Sequence, residues 1–257
     1  QRGRSGSDAE VDAGAASSFH ALFVDAAIAD ELGREGMIVR RGVQFHWRNQ
    51  GWRDFDDFLS AFSHDKRKKI RQDRRKLAER GVAFERKAGG ALTHDDWAFF
   101  HRCYVATYEA HHSTPYLTLD AFERIGAALG DRIVLAIGTL GGERIASALD
   151  VTDGETMWGR YWGTLAYVPG LHFEACYYQA IEHCLAHGIA RFEGGAQGAH
   201  KLARGLDPVT THSAHMIGDP AFREAIADFC ARERLDVAHT VDELMEARPY
   251  RKGEGGD

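Results

Sequence analysis

Two stretches of this chain concentrate side chains able to bind ligands and move protons. GRYWGTLAYVPGLHFEACYYQAI, residues 159–181, passes from a β-type aromatic run through a Pro-Gly turn into a helix carrying His172, Glu174, Tyr177 and Tyr178. A carboxylate in a first helical turn is favoured by the helix dipole. Glu174 therefore either complements that dipole alone or serves as a base for an attacking amine. His172 is a cap or an acid/base group. Tyr177 and Tyr178 point different ways on a helix, so one belongs to the core. Tyr178 is the candidate proton donor to a leaving group and Tyr177 a substrate-binding hydroxyl.

FEGGAQGAHKLARG, residues 192–205, is the second cluster. Glu193 ends a strand, two glycines permit close backbone approach, and Gln197, His200, Lys201 and Arg204 follow. Gly-rich turns that lead into helices bind anions, and Lys201 and Arg204 strengthen that reading. The plainer alternative is a tight strand–helix connection with a solvated basic helix. Glu193 and His200 are the acid/base candidates here, and Gln197, Lys201 and Arg204 the binding ones.

Strand alternation puts Arg160 and Trp162 on one face. Arg160 is then a clamp for a carboxylate or phosphate and Trp162 a wall, or else Arg160 needs a buried partner such as Glu174 or Glu193. Gln44 and His46 share a face of their own strand and are candidates for the same cleft. His183 and His187 stand at a ligand spacing of i,i+4, but neither an HExxH glutamate nor a third ligand accompanies them, so no metal site is assigned.

The elements that must position these residues follow from periodicity. SSFHALFVD and MIVRRGVQFHW read as strands around a short helix, AAIADELGREG. Residues 54–81 are helical and interrupted at SHD, and VAFERK is a strand. Thr93 with Asp96 resembles a capping box for a helix bearing Trp97, Phe100, Tyr104 and Tyr108, and Thr118 caps a second helix. The period then drops to two. RIVLAIGTL, RIASALDVT and ETMWGRYWGTL are consecutive strands joined by Gly141-Gly142 and Asp153-Gly154. Helix, short strand, short helix and strand follow, and two helices, PAFREAIADFCARER and TVDELMEA, finish the chain. The pattern predicts an α+β fold with a mixed, mainly antiparallel sheet flanked by helices.

The 257 residues carry a net charge of −6, yet the segment from Asp65 to Lys76 holds eight Lys or Arg against two Asp. Such a run is either a solvated helix face or a surface for phosphates, with Lys66, Arg67, Lys69, Arg71 and Arg74 the candidates for nucleic acid. The aromatic interleaving of a base-stacking platform is missing. Cys103, Cys176, Cys184 and Cys230 show neither a CxxC spacing nor a disulfide framework, which reads as reduced thiols. No apolar run approaches the ~20 residues of a membrane span and no signal peptide opens the sequence, so a cytoplasmic location is expected.

The element order, with its central strand–turn–helix, resembles the GNAT acyltransferase fold. KRKKIRQDRRKLAERGVAFE resembles the basic helix and following strand of Fem-type peptidoglycan aminoacyltransferases. GRYWG, VQFHW and HFEACYYQAIEHCLAHGIARFEGGAQGAHKLARGL together are similar to the FemAB-like proteins of peptidoglycan biosynthesis or recognition. The resemblance spans residues 17 to 250. It implies a GNAT-like acyltransferase domain over 82–250, a basic connecting helix over 55–81 and a partial second GNAT-like unit over 17–54. Residues 1–16 and 251–257 are expected to be disordered.

The implied activity is direct transfer of an acyl or aminoacyl group onto an amine, and no Ser or Cys lies in a nucleophile motif. The acceptor would be a small-molecule or cell-wall-precursor amine, the donor acyl-CoA or aminoacyl-tRNA, and tRNA a partner. One departure bears on the donor. Acetyl-CoA-dependent members carry a Gly-rich pyrophosphate loop before the central helix, whereas here it reads AYVPGLHFEA, with a proline that lacks an N–H. That favours a donor other than CoA. A CoA-dependent N-acetyltransferase, and a non-catalytic module binding cell-wall precursors or RNA, are the alternatives.

Overall fold

A computed structural model describes residues 16–196 and 198–251. Gln197 and both expected disordered ends, apart from Ala16 and Arg251, therefore lie outside the described residues. The chain forms two compact units, one comprising residues up to Gln44 together with Pro208–Glu246, the other Phe45–Asp207 with the segment from Ala247 onward.

In the smaller unit, β1 (Ser18–Val24) leads through α1 (Ala26–Arg34) into β2 (Ile38–Arg48). The third strand is β8 (Asp207–Ile217), antiparallel to β1 with Phe19 opposite Met216. A single helix, α8 (Pro220–Glu246), replaces the two expected after residue 219. Thr240 does not cap a new helix, because neither Gly nor Pro separates it from Arg234 and the intervening LDVAH continues the helix.

The larger unit contains the end of β2, followed by α2 (Phe55–Ser60), α3 (His64–Glu79), β3 (Val82–Ala88), α4 (His94–Ala110) and α5 (Leu119–Leu129). Next come β4 (Ile133–Leu140), β5 (Glu143–Thr152) and β6 (Thr156–Thr164), then α6 (Leu171–Phe173), a π-helical turn Glu174–Tyr178, α7 (Gln179–His187) and β7 (Arg191–Glu193). Its strands lie in the order β2-β7-β6-β5-β4-β3. Among the described residues its strand pairings are antiparallel except β6 with β7, so the mixed, mainly antiparallel sheet holds. Thr93 and Asp96 form the expected capping box, and the Thr118 hydroxyl accepts from the Ala121 N–H.

Both sheet faces are covered, by different chemistry. Trp97, Phe100, Tyr104 and Phe122 of α4 and α5 pack on Ile133, Leu135, Ile137 and Leu149. On the opposite face Ala136 and Ala148 meet Ala175. Three methyl-sized side chains let the π-helical turn sit close to the strands. The close approach on the α4 side is at Gly163, where an added Cβ would fall 1.9 Å from the Cys103 carbonyl oxygen.

Candidate functional site

β6 and β7 pair over only three residues, Thr156–Trp158 with Arg191–Glu193, and then separate. The parting holds a cavity of about 150 Å³ lined by Asp150, Gly159, Arg160, Trp162, His172 and Cys176, among others. Its wall is bent by a β-bulge. Leu149 pairs with Tyr161 but Asp150 pairs with Gly159, leaving Arg160 as the extra residue. The bulge breaks the alternation expected of Arg160 and Trp162. Trp162 packs against His172 with ring centres 4.5 Å apart and planes tilted by 50°, while Arg160 is exposed at the rim, its guanidinium 5.9 Å from the Tyr161 ring.

Asp150 is the residue that sequence reasoning missed. It is 3% exposed, lines the cavity, and has neither a hydrogen bond nor an ion pair among the described residues. Burial alone pushes its carboxyl up to about 8, so it is largely neutral at pH 7. Its Oδ1 lies 3.5 Å from where a Cβ on Gly159 would stand. Nothing in RIASALDVT separates this acid from one at a strand end; only the pairing with Gly159 turns it inward.

Lys201 is its counterpart. It sits on the short 3-10 helix Ala199–Arg204, is 6% exposed, and has no ion-pair or hydrogen-bonding partner among the described residues. Burial lowers its basicity. Its Cδ lies 3.7 Å from the position of a Cβ on Gly194, a cavity-lining residue, and its Nζ is 6.0 Å from the centre of the Phe45 ring. Cys176 feels both charges, Asp150 raising the thiol and Lys201 lowering it, though burial is the larger cause of its raised value.

Four other candidates gather here. The Tyr177 hydroxyl is 3.3 Å from His200 Nε2. The Arg204 guanidinium lies 3.6 Å over the Phe173 ring and donates to the His200 carbonyl. Burial pushes His172 down to about 4, with His200, Lys201 and Arg204 adding to the effect, so His172 is a neutral ring at pH 7.

The remaining candidates lie elsewhere. Glu174 is buried and ion-paired. Arg74 donates to it through Nε (2.9 Å) and Nη2 (2.8 Å), and the Gln179 amide donates at 2.8 Å. A carboxylate so occupied is not available as a base. Tyr178 is on the same side, packed on Phe55 with centroids 5.6 Å apart, and is a core residue. The π-helical turn produces this division: Glu174 and Tyr178 turn toward α2 and α3, while His172, Cys176 and Tyr177 turn toward the cavity.

Glu193 pairs across strands with His46 and Trp158, next to Phe192, Trp47 and Met157. Met157 contacts Cys184 of α7, so alternation turns Glu193 and His46 to the opposite face, away from the cavity. Glu193 there meets Arg191 at 3.2 Å. Gln44 belongs to the smaller unit and is half-buried.

A protein-family model for FemAB-like proteins, described as peptidoglycan biosynthesis/recognition, matches residues 5–252. The chain belongs to the FemAB-like family. Among solved structures, this FemAB-like chain is similar to the C-terminal domain of a putative lysylphosphatidylglycerol synthetase from Agrobacterium fabrum. The TM-score is 0.60 at 14% identity, with 84% of this chain and 71% of that one covered. FemX gives a TM-score of 0.56 at 12% identity over 81% and 74%. L-PGS from Bacillus licheniformis gives 0.53 at 11% identity over 79% and 69%. At these identities the likeness is one of fold. No curated protein matches the sequence.

The basic helix α3 of the FemAB-like chain is sorted by its structure. Arg74 faces inward, bound to Glu174 and Glu182 and stacked 4.4 Å over Phe55, so it is withdrawn from the phosphate-binding set. Lys69 pairs with Asp73 and Arg71 with Asp56, both at 2.8 Å on the surface. Lys66 is exposed, and Arg67 reaches the Ser60 carbonyl at 3.4 Å. His64, Arg67, Lys68, Arg71, Gln72 and Arg75 line a groove of about 300 Å³ that contains no carboxylate. Lys68 and Arg75 were not among the expected contacts.

No described helix is long and apolar enough to cross a membrane. Among the described residues, no group of three or more His, Cys, Asp or Glu is placed to hold a metal ion.

Proposed function

We propose that this FemAB-like protein transfers an acyl or aminoacyl group to an amine by direct attack in the cavity between β6 and β7. The observation that carries the reading is a pair of unpartnered buried groups beside Cys176, Asp150 lining the cavity and Lys201 packed behind its Gly194 wall. Unpaired buried charges are costly to a fold. A ligand that supplies both an amine and an anion offsets that cost.

Asp150 takes the proton that the attacking nitrogen loses. A carboxyl held near 8 is a stronger base than an ordinary carboxylate and better matched to an ammonium. Lys201 and Arg160 hold the anionic part of the substrate and the developing oxyanion, and Trp162 and His172 form an apolar wall. Tyr177 and His200 are placed to orient a leaving oxygen.

Three N–H groups at the start of α6, where a CoA pyrophosphate would be held, are already used. Leu171 donates to the Val168 carbonyl, and Phe173 and Glu174 donate to that of Gly170. This supports a donor other than CoA. Aminoacyl-tRNA fits the carboxylate-free groove on α3, and the family description points to a cell-wall-precursor amine as acceptor. The names of the structural neighbours, FemX and lysylphosphatidylglycerol synthetase, agree with aminoacyl chemistry.

The test is single-turnover transfer from charged tRNA to an amine-bearing cell-wall precursor. Asp150→Asn should slow it by about 100-fold or more, and the wild-type rate should rise with pH through about 8 as Asp150 ionises. An unchanged rate in Asp150→Asn removes the assignment. Replacing Lys68 and Arg75 by Ser should lower the salt dependence of tRNA affinity by about two phosphate contacts.

A further inference from the structure

We propose that Lys201 is itself an acylation site: its amine attacks small activated acyl groups that reach it past Gly194 and Gly195 from the β6–β7 cavity, and the amide formed switches off anion binding there. Three observations carry this. Lys201 is buried, yet neither a carboxylate nor a carbonyl holds its Nζ among the described residues. Gly194 and Gly195 flank it: a Cβ on Gly195 would stand only 3.8 Å from Nζ, so the absent side chain leaves that space open. The nearest aromatic face, Phe45, is at 6.0 Å, too far to fix the amine in one direction.

Two other lysines are held by carboxylates, Lys69 by Asp73 on the surface and Lys87 by the buried Asp96. Lys66 and Lys68 are exposed. At pH 7.5 an ordinary lysine is only about 0.1% neutral amine, and each unit of depression multiplies that fraction by about ten. Burial lowers Lys201. Its enclosure beside Gly194 and Gly195 admits small reagents rather than large ones, and the lowered basicity favours the neutral amine.

The step balances with an acyl phosphate as co-reactant. The Nζ lone pair forms a bond to the carbonyl carbon. The carbon–oxygen bond to phosphate breaks, phosphate leaves with that electron pair, and the proton from nitrogen passes to the departing phosphate. The product is an Nζ-acyl-lysine and inorganic phosphate. Conversion of the ammonium to a neutral amide removes a cation from the cavity and adds bulk, so a second anionic ligand is excluded. The inference shares the cavity with the proposed transfer reaction, but it requires only that an activated acyl group enters, and no acceptor.

The experiment uses the full chain, acetyl phosphate at pH 7.5, and peptide mass spectrometry over a time course. Lys201 should acetylate faster than Lys66 and Lys68. Acetylation of Lys201 no faster than those two, or none at all, overturns the proposal. Lys201→Gln, which mimics the acylated state, should weaken binding of inorganic phosphate to the chain relative to Lys201→Arg; equal binding by the two variants overturns the switch. Lys201 acetylation without any transfer from charged tRNA would remove the proposed function and leave this inference standing. Transfer with an inert Lys201 would do the reverse.

Discussion

The buried Arg74–Glu174 pair offers the sharpest test of how the site is held. Glu174 is 5% exposed and accepts three hydrogen bonds, two from Arg74 and one from Gln179. Arg74→Met keeps the side-chain stem against Phe55 but leaves the carboxylate with one amide donor. Breaking a buried pair costs about 3–5 kcal/mol, and the guanidinium is one-quarter exposed, so the lower end, about 3 kcal/mol, applies. Glu182 retains Arg86 at 2.9 Å and adds little. For a chain of this size the loss corresponds to a fall in thermal midpoint of about 6–12 °C. Pairing Arg74→Met with Glu174→Leu replaces two charges by apolar groups and should recover most of it, giving a coupling energy of about 2 kcal/mol. Circular dichroism melts of the two single variants and the double variant measure this. If Arg74→Met moves the midpoint by under 1 °C, or the single effects simply add, the pair does not hold the π-helical turn as described.

Two further expectations concern single residues. Because the folded pKa of Asp150 is raised, its contribution to stability is greatest below about pH 4 and is lost as pH climbs toward 8. Asp150→Asn should therefore be more stable than the wild type at pH 8 by at least about 2 kcal/mol, with the gap closing toward pH 4; a pH-independent gap in the melts would contradict a free buried carboxyl. Gly163→Ala should cost about 2–3 kcal/mol, because the new methyl meets the Cys103 backbone 1.9 Å away, and a melt within a degree of wild type would show that α4 is not seated there.

The sequence exposes elements whose signals are local. The Gly141-Gly142 and Asp153-Gly154 hairpins and the Thr93 capping box are each written in two to four residues and stand in the structure, while the break expected at SHD falls at residues 61–63, with His64 and Asp65 already in α3. The two features that shape the cavity are not local. A bulge is decided by which residue of β5 faces which of β6, and the run GRYWG is compatible with either register. The π-helical turn inserts one residue's worth of rotation into a sequence that reads as an ordinary helix. Glu174, a candidate base by sequence, is thereby turned away from the cavity, and Asp150 reads as an ordinary strand residue. Likewise α3 alternates cations on every side, so its sequence marks a basic helix without showing that Arg74 faces inward.

The contrast between the two buried acids shows what separates a structural carboxylate from an available one. Glu174 and Asp150 are equally enclosed, at 5% and 3% exposure. One receives a bidentate guanidinium and an amide; its charge is compensated before any ligand arrives, and its role is to fix the turn that carries His172, Cys176 and Tyr177. The other receives nothing, so burial raises its pKa and leaves its proton-accepting capacity for whatever enters. The bulge and the π-helical turn stand on opposite walls of the same cavity, and each departs from regular hydrogen bonding at the point where these acids are sorted. Irregularity on both walls, with an unpartnered acid lining the cavity and an unpartnered base packed behind Gly194, is difficult to explain as packing alone, since apolar residues at 150 and 201 would satisfy packing at lower cost. The arrangement has a physical reason if a substrate brings the missing counter-charges.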